Sequence, residues 1–192
     1  MDIAKRYHEL TEAIVDEHRQ VFEQLDPKQL EGAMHLIEQA DRVFVYGMGR
    51  EGISLRGFAM RLAHLGKEAH WQSDDTTTAI NPGDLFITSC SRGCDPGSLE
   101  HVCNNVKKAG GKILMFTADP DAEFARDFAD YPVWVHSTGF RMRRHDLVPT
   151  VQMMGNQYEQ HLYMLTDVII MMIVEELGLT YDDLEARHRN AE

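Results

Sequence analysis

Four short runs, Val43–Tyr46, Leu85–Thr88, Lys112–Thr117 and Pro132–Val135, constrain the fold of this chain more than any other feature. Their residues stay largely apolar instead of alternating with polar ones, so strands built from them have no face for water. Strands buried on both faces belong to parallel sheets, whose crossover connections cover the sheet with helices. The intervening segments supply such helices: Phe58, Met60, Leu62 and Leu65 mark one, and another falls near 97–109. Glu68–Gln72 is a weaker strand candidate between the first two runs. The reading is an α/β fold with a parallel sheet covered on both sides.

The 192 residues suit a single domain. It divides into an N-terminal helical pair over 2–40, an α/β core over 42–136, an irregular loop over 137–149 and C-terminal helices over 152–189. Asp26-Pro27 separates the first two helices. The loop is too long for a bare connection and is a candidate active-site loop. Within a long helix at roughly 152–177, Val168–Val174 is apolar around the whole circumference. Such a helix is expected to be buried on every side, at a subunit interface or wedged against the N-terminal pair. The run is too short to span a bilayer.

Bulk charge narrows the partners. A formal net charge of −12 argues against nucleic acid and acidic membrane surfaces. It leaves room for a local basic pocket that holds a small anion. Cys90, Cys94 and Cys103 are too few, and odd in number, for a disulfide framework. With no signal peptide, a cytoplasmic protein is expected.

Two loops follow strand ends and open helices. The first, Gly47-Met-Gly-Arg-Glu-Gly52, matches GxGxxG, with Asp74 and Asp75 near the spacing of a ribose-binding acid. A dinucleotide site is therefore a competing reading, weakened by the helical residues ahead of the strand and by the lack of a further substrate domain. The second loop, Ser89-Cys-Ser-Arg-Gly-Cys-Asp-Pro-Gly-Ser98, offers hydroxyls and backbone N–H groups at a helix start, which suit an anion. Asp75-Thr-Thr-Thr78 lies beyond another strand. Together these loops describe a pocket for a small polyhydroxylated anion.

The order of elements, with Val45–Gly52, Arg56-Gly-Phe-Ala-Met-Arg61 and Thr76-Thr-Thr78, resembles a sugar isomerase (SIS) domain. It is more narrowly similar to the 6-phospho-3-hexuloisomerase subfamily, whose ending is matched by Met154–Gln160, Glu175-Glu-Leu-Gly178 and Ala186-Arg-His-Arg-Asn190. The resemblance implies a five-stranded parallel sheet in a three-layer αβα sandwich, doubly wound and flavodoxin-like. It also implies a homotetramer built from dimers. The implied activity, needing neither metal nor organic cofactor, moves the carbonyl of a ketose phosphate, from a 3-ketohexose 6-phosphate to fructose 6-phosphate.

Carbonyl migration through an enediol needs a base and a group that stabilises the oxyanion. The motif match makes Glu159 the base and His188 an acid/base that reaches a neighbouring subunit's site, with Arg50 facing the enediolate or the phosphate. The substrate-binding candidates are Gly47, Gly49, Glu51, Ser89, Ser91, Arg92, Thr76, Thr77 and Thr78. Two departures fall among them: the family's first loop carries serine where this chain has Glu51, and its second reads like Ser-Gly-Ser-Gly-Glu-Thr. Glu51 and Arg92 are therefore read either as an ion pair or as contacts to sugar hydroxyls and a different acid group, such as a sulfonate or carboxylate. Arg141, Arg143, Arg144 and His145 form a basic stretch, either solvated or a lid over an anion. No metal-ligand set stands out: Glu159 and His161 leave a helix on different faces, and Cys90 and Cys94 lack a partner set. Cys94, near a helix start, is a candidate reactive thiol or a small buried residue. Besides the isomerase, a sugar-phosphate sensor without turnover is the reading from a different class.

Overall fold

The computed structural model describes residues 1–92, 97–142 and 144–190. In chain order the elements are α1 (Ile3–Gln24), α2 (Pro27–Gln39), β1 (Val43–Tyr46), α3 (Gly49–His64), β2 (Ala69–Trp71) and β3 (Leu85–Ser89). There follow α4 (Ser98–Ala109), β4 (Lys112–Thr117), α5 (Glu123–Phe128), β5 (Tyr131–Trp134), α6 (Asn156–Glu176) and α7 (Tyr181–Glu185). The strands form one sheet in the order β2-β1-β3-β4-β5, and every neighbouring pair is parallel. That order reverses direction between β1 and β3, the switch point at which doubly wound sheets open a crevice beyond the carboxyl ends of the strands.

The sheet separates two cores. Val43, Val45, Leu85, Ile87, Leu114 and Phe116 face one side, packed by residues of α1, α2, α3 and α6. Their sequence neighbours Phe44, Phe86, Ile113 and Met115 face the other, against Leu99, Cys103 and Val106 of α4 and Phe124 of α5. Successive side chains point to opposite faces, and both faces are covered; this is why the strand runs are apolar throughout. β2 is only partly buried along its length because it forms an edge, which accounts for its weaker sequence pattern.

Two helix boundaries and one added element stand out against the sequence reading. The long helix begins at Asn156 and not near 152. Residues 150–152 instead spend their hydrogen bonds on the buried carboxylate of Glu17: the Thr150 hydroxyl, the Val151 N–H and the Gln152 amide all donate to it. The last helix ends at Glu185 and not at 189, and six-residue α5 is an element the sequence reading did not contain. The apolar belt of α6 packs against α1, α2 and α3, with Ile169, Ile170 and Ile173 buried and Met171 and Met172 exposed. Burial on every side is therefore not achieved within one chain.

Candidate active site

The site is built on the turn from β1 into α3. A Cβ at Gly52 would lie 2.2 Å from the Gly47 carbonyl oxygen, so the two glycines permit a close backbone approach that no other residue allows. Gly49 adopts a positive φ of 53° as α3 begins. These demands explain the glycine spacing without a dinucleotide. Gly47 is buried beneath the loop, while Gly49 lines the cleft beside Met48, Arg50 and Glu51.

That cleft encloses about 490 Å³. Ser89, Ser91 and Arg92 border it from the end of β3, and Phe140, Asn156 and Glu159 from the long loop and α6. It therefore opens outside the carboxyl ends of β1 and β3, at the switch point.

Glu51 turns inward. Ser89 Oγ donates to its carboxylate at 2.6 Å, and the Ser91 N–H is shared between its two oxygens at 3.3 Å each. The Tyr158 hydroxyl lies 2.9 Å from Ser89 Oγ and, since Ser89 gives its proton to Glu51, donates into it. Burial pushes the Glu51 carboxyl above its ordinary value; the bonds from Ser89 and Ser91 oppose this, and the charge of Glu159 adds to it. Burial, with Glu51 nearby, also holds the Tyr158 phenol well above its usual value. Among the described contacts, the Glu51 carboxylate is held by Ser89 and Ser91, and Arg92 borders the same cleft.

Glu159 stands in the first turn of α6. Its backbone carbonyl accepts from Ser54 Oγ at 2.7 Å, which pins α6 to α3. The α3–α6 contact is close: a Cβ at Gly57 would lie 2.9 Å from the Tyr163 ring. The Glu159 carboxylate, 16% exposed, meets Arg50 Nε at 3.0 Å. That oxygen has no aligned hydrogen bond, so the contact is an ion pair that leaves a basic lone pair available. Arg50 Nη1 donates to Asn156 Oδ1 at 2.8 Å, fixing the guanidinium between the two elements. Burial raises the Glu159 carboxyl above its ordinary value, and Arg50 partly offsets this.

Other candidates lie elsewhere. Thr76, Thr77 and Thr78 are not among the residues that line the cleft; the first two hydroxyls serve their own turn and the third is held by Arg42. Thr76 bonds Asp74 at 2.8 Å, Thr77 donates to the Trp71 carbonyl at 2.7 Å, and Thr78 accepts from Arg42 at 2.8 Å. Asp74, the supposed ribose acid, is a turn cap. His188 packs near His64, ring centroids 5.1 Å apart, at the far end of the 16-residue α3. That places it roughly 21 Å along the helix from Arg50. Neighbouring Arg187 donates to the His64 carbonyl at 3.1 Å and fixes this arrangement.

The basic stretch is not a free lid. Arg144 pairs with Asp119 and Asp146, and it pulls the Asp146 carboxyl down to about 2. Arg141 lies over the Phe140 ring. Arg143, Cys94 and Asp95 fall outside the described residues. His161 points away from Glu159 into the packing of α1, against Phe22 and His18. Among the described residues there is no group of three or more His, Cys, Asp or Glu arranged for a metal, and no helix is long and apolar enough to cross a membrane. The sequence reading did not single out Tyr158, Asn156, Ser54 or Glu17. Tyr158 and Asn156 lie in the same short motif as Glu159, which was the available signal.

No protein-family model matches the chain. Curated relatives do. A 3-hexulose-6-phosphate isomerase of Mycobacterium gastri is 33% identical over 177 residues, covering 92% of this chain and 87% of that protein. One of Bacillus subtilis is 29% identical over 160 residues, covering 83% and 84%. Among solved structures, a Methanococcus jannaschii protein from which a 3-hexulose-6-phosphate isomerase function was inferred superposes with a TM-score of 0.80 at 24% identity, covering 96% of this chain and 99% of that one.

Proposed function

The chain belongs to the family of 3-hexulose-6-phosphate isomerases, and from that premise we propose how its own residues move the carbonyl of a 3-hexulose 6-phosphate to give fructose 6-phosphate. Glu159 removes the hydrogen from carbon 2 of the open-chain ketose. The electrons form the bond between carbons 2 and 3, and negative charge collects on the oxygen at carbon 3. Arg50 faces that charge. Return of the proton to carbon 3, with transfer of the hydroxyl proton from one oxygen to the other, completes the isomerisation.

The observation that carries this reading is the placement of Glu159: a partly buried carboxylate, raised above its ordinary range, at the edge of a sugar-sized cleft with a guanidinium beside it. A base tuned upward is more effective near neutral pH. Activity is expected to fall as pH drops through the raised Glu159 value, because protonation removes the base.

The test is turnover of 3-hexulose 6-phosphate in deuterated water, followed by NMR. Wild type is expected to incorporate solvent deuterium beside the carbonyl, and Glu159→Gln to lose activity by about 10²–10⁴-fold while retaining its melting temperature. A Glu159→Gln enzyme within tenfold of wild type would refute the assignment.

We extend the proposal to the assembly. Exposed Ile53, Met60, Tyr163 and Met171 on α3 and α6 support a homo-oligomer, read as a tetramer built from dimers. His188 lies too far along α3 to serve its own cleft, so its proposed acid/base role is exercised in a neighbour's.

A further inference from the structure

Within the cleft, the donors most suited to an anion already hold one. Ser89 Oγ and the Ser91 N–H converge at the carboxyl end of β3, and both are directed at the Glu51 carboxylate. They border the space that a substrate must enter. A phosphate ester bound there needs the same two donors, and a phosphate dianion beside an ionised buried carboxylate is strongly disfavoured at short range. The other polar groups around Glu51 come from two elements. From α6 come the Tyr158 hydroxyl and the carboxylate of Glu159, itself paired to Arg50, while β3 and its loop bring Ser89, Cys90, Ser91 and Arg92.

We propose that Glu51 is a resident anion in the place the substrate's anionic end must take, so that binding of a sugar phosphate is coupled to uptake of one proton by this carboxylate. The inference rests on the isomerase reading and deepens it, making Glu51 the residue that decides which anionic sugars the cleft accepts. Ionised, Glu51 accepts from Ser89 and Ser91 and favours sugars that present only hydroxyls to that corner. Protonated, it releases both donors to the phosphate and offers its own O–H as a third. Burial already moves this carboxyl toward the protonated form, which is the direction the coupling requires.

The experiment is titration calorimetry with fructose 6-phosphate and, separately, inorganic phosphate. It compares wild type, Glu51→Gln and Glu51→Ser in two buffers of different ionisation enthalpy at pH 7.5. Comparison of the three proteins with the same ligand at one pH removes the ligand's own titration, which is common to all three. Wild type is expected to take up close to one more proton per ligand than Glu51→Gln, and Glu51→Gln to bind at least tenfold more tightly. Glu51→Ser serves as the second variant if Glu51→Gln does not fold. Equal proton uptake in wild type and variant, or weaker binding by the variant, would overturn the coupling. These readouts require no turnover, so they stand apart from the deuterium assay: loss of the isomerase reading shows as absent turnover, and loss of this inference as absent proton linkage.

Discussion

Removal of Glu17, a residue outside the cleft, is expected to damage both stability and turnover. Its carboxylate, on a residue only 6% exposed, accepts from Thr150 Oγ1 at 2.8 Å, Val151 N at 2.6 Å, Gln152 Nε2 at 3.0 Å and Gln157 Nε2 at 3.2 Å. Gln157 in turn accepts from Ser137 Oγ and the Thr138 N–H. One buried acid on α1 therefore fixes both ends of the loop that carries Phe140, and the first turn of α6 that carries Glu159. Glu17→Ala takes the acceptor from the Val151 N–H and one of two acceptors from the Gln157 amide, which keeps the Pro149 carbonyl, at about 1–3 kcal/mol each. The half-buried Thr150 and Gln152 side chains can turn to water. The expected loss is about 3–5 kcal/mol, which for a domain of this size lowers the melting temperature by roughly 6–20 °C. Glu17→Gln keeps one acceptor oxygen and should lose about half as much.

The pH dependence supplies a second check. Burial pushes the Glu17 carboxyl up, but the bonds from Gln152, Val151, Thr150 and Gln157 outweigh it, and the net value lies below the ordinary range. A carboxyl depressed in the folded state contributes stability that is present above its unfolded value, near 4.3, and is lost as pH falls through the folded one. Urea unfolding at pH 7 and at a series of values below 4.5 should therefore show a steeper acid loss in wild type than in Glu17→Gln. The kcat for hexulose phosphate should fall in both variants even at temperatures where they remain folded. A Glu17→Ala protein that melts within 2 °C of wild type at pH 7, with unchanged kcat, would refute the reasoning.

Two further outcomes follow from the same structure. His161 is fully buried with neither ring nitrogen partnered, and burial, then His18, pushes it down to about 3. The unfolded chain binds a proton below about 6.5 that the folded one refuses. His161→Leu should thus be as stable as wild type or more so at pH 7.5 and lose less stability by pH 5; greater loss than wild type would sink the idea. For the assembly, Glu159→Gln and His188→Ala should each be nearly inactive alone, and co-refolded equal mixtures should regain about a quarter of wild-type activity if each cleft takes its histidine from a neighbour; no recovery would confine His188 to another role.

The fold was legible because burial leaves a direct record in residue type. Leu85–Ser89 is buried at every position, and its sequence contains no polar alternation. β2 was faint because an edge strand has one unpaired side and fewer packing demands, and α5 was missed because six residues carry less than two turns of periodicity. In the site, Arg50, Glu51, Ser89, Ser91, Arg92 and Glu159 were named from motifs and meet at one cleft. Thr76–Thr78 were also named, yet sequence cannot show that a hydroxyl is already spent on its own turn. Glu17 was unreadable for the opposite reason. Its partners lie more than 130 positions away, and a lone glutamate on an amphipathic helix has the look of a solvated one.

Glu51 and Glu159 show how one cleft can give two carboxyls different work. Burial raises both, so burial alone does not distinguish them. Their partners do. Glu159 has a full positive charge at 3.0 Å and partial contact with water, which favour the ionised form that its proposed role as base requires. Among the described contacts, Glu51 is met by the neutral donors of Ser89 and Ser91 and lies deeper, with the charge of Glu159 acting against its own ionisation. Of the two carboxyls, Glu51 is therefore the one whose charge is less well supported, and ionising Glu159 adds to that. A substrate phosphate drives the pair further the same way, since a second anion beside Glu51 makes its neutral form more favourable still. Under the proposed mechanism, binding of the ligand would set the protonation pattern that the reaction requires: a protonated Glu51 at the anionic end and an ionised Glu159 at the carbon that loses its hydrogen.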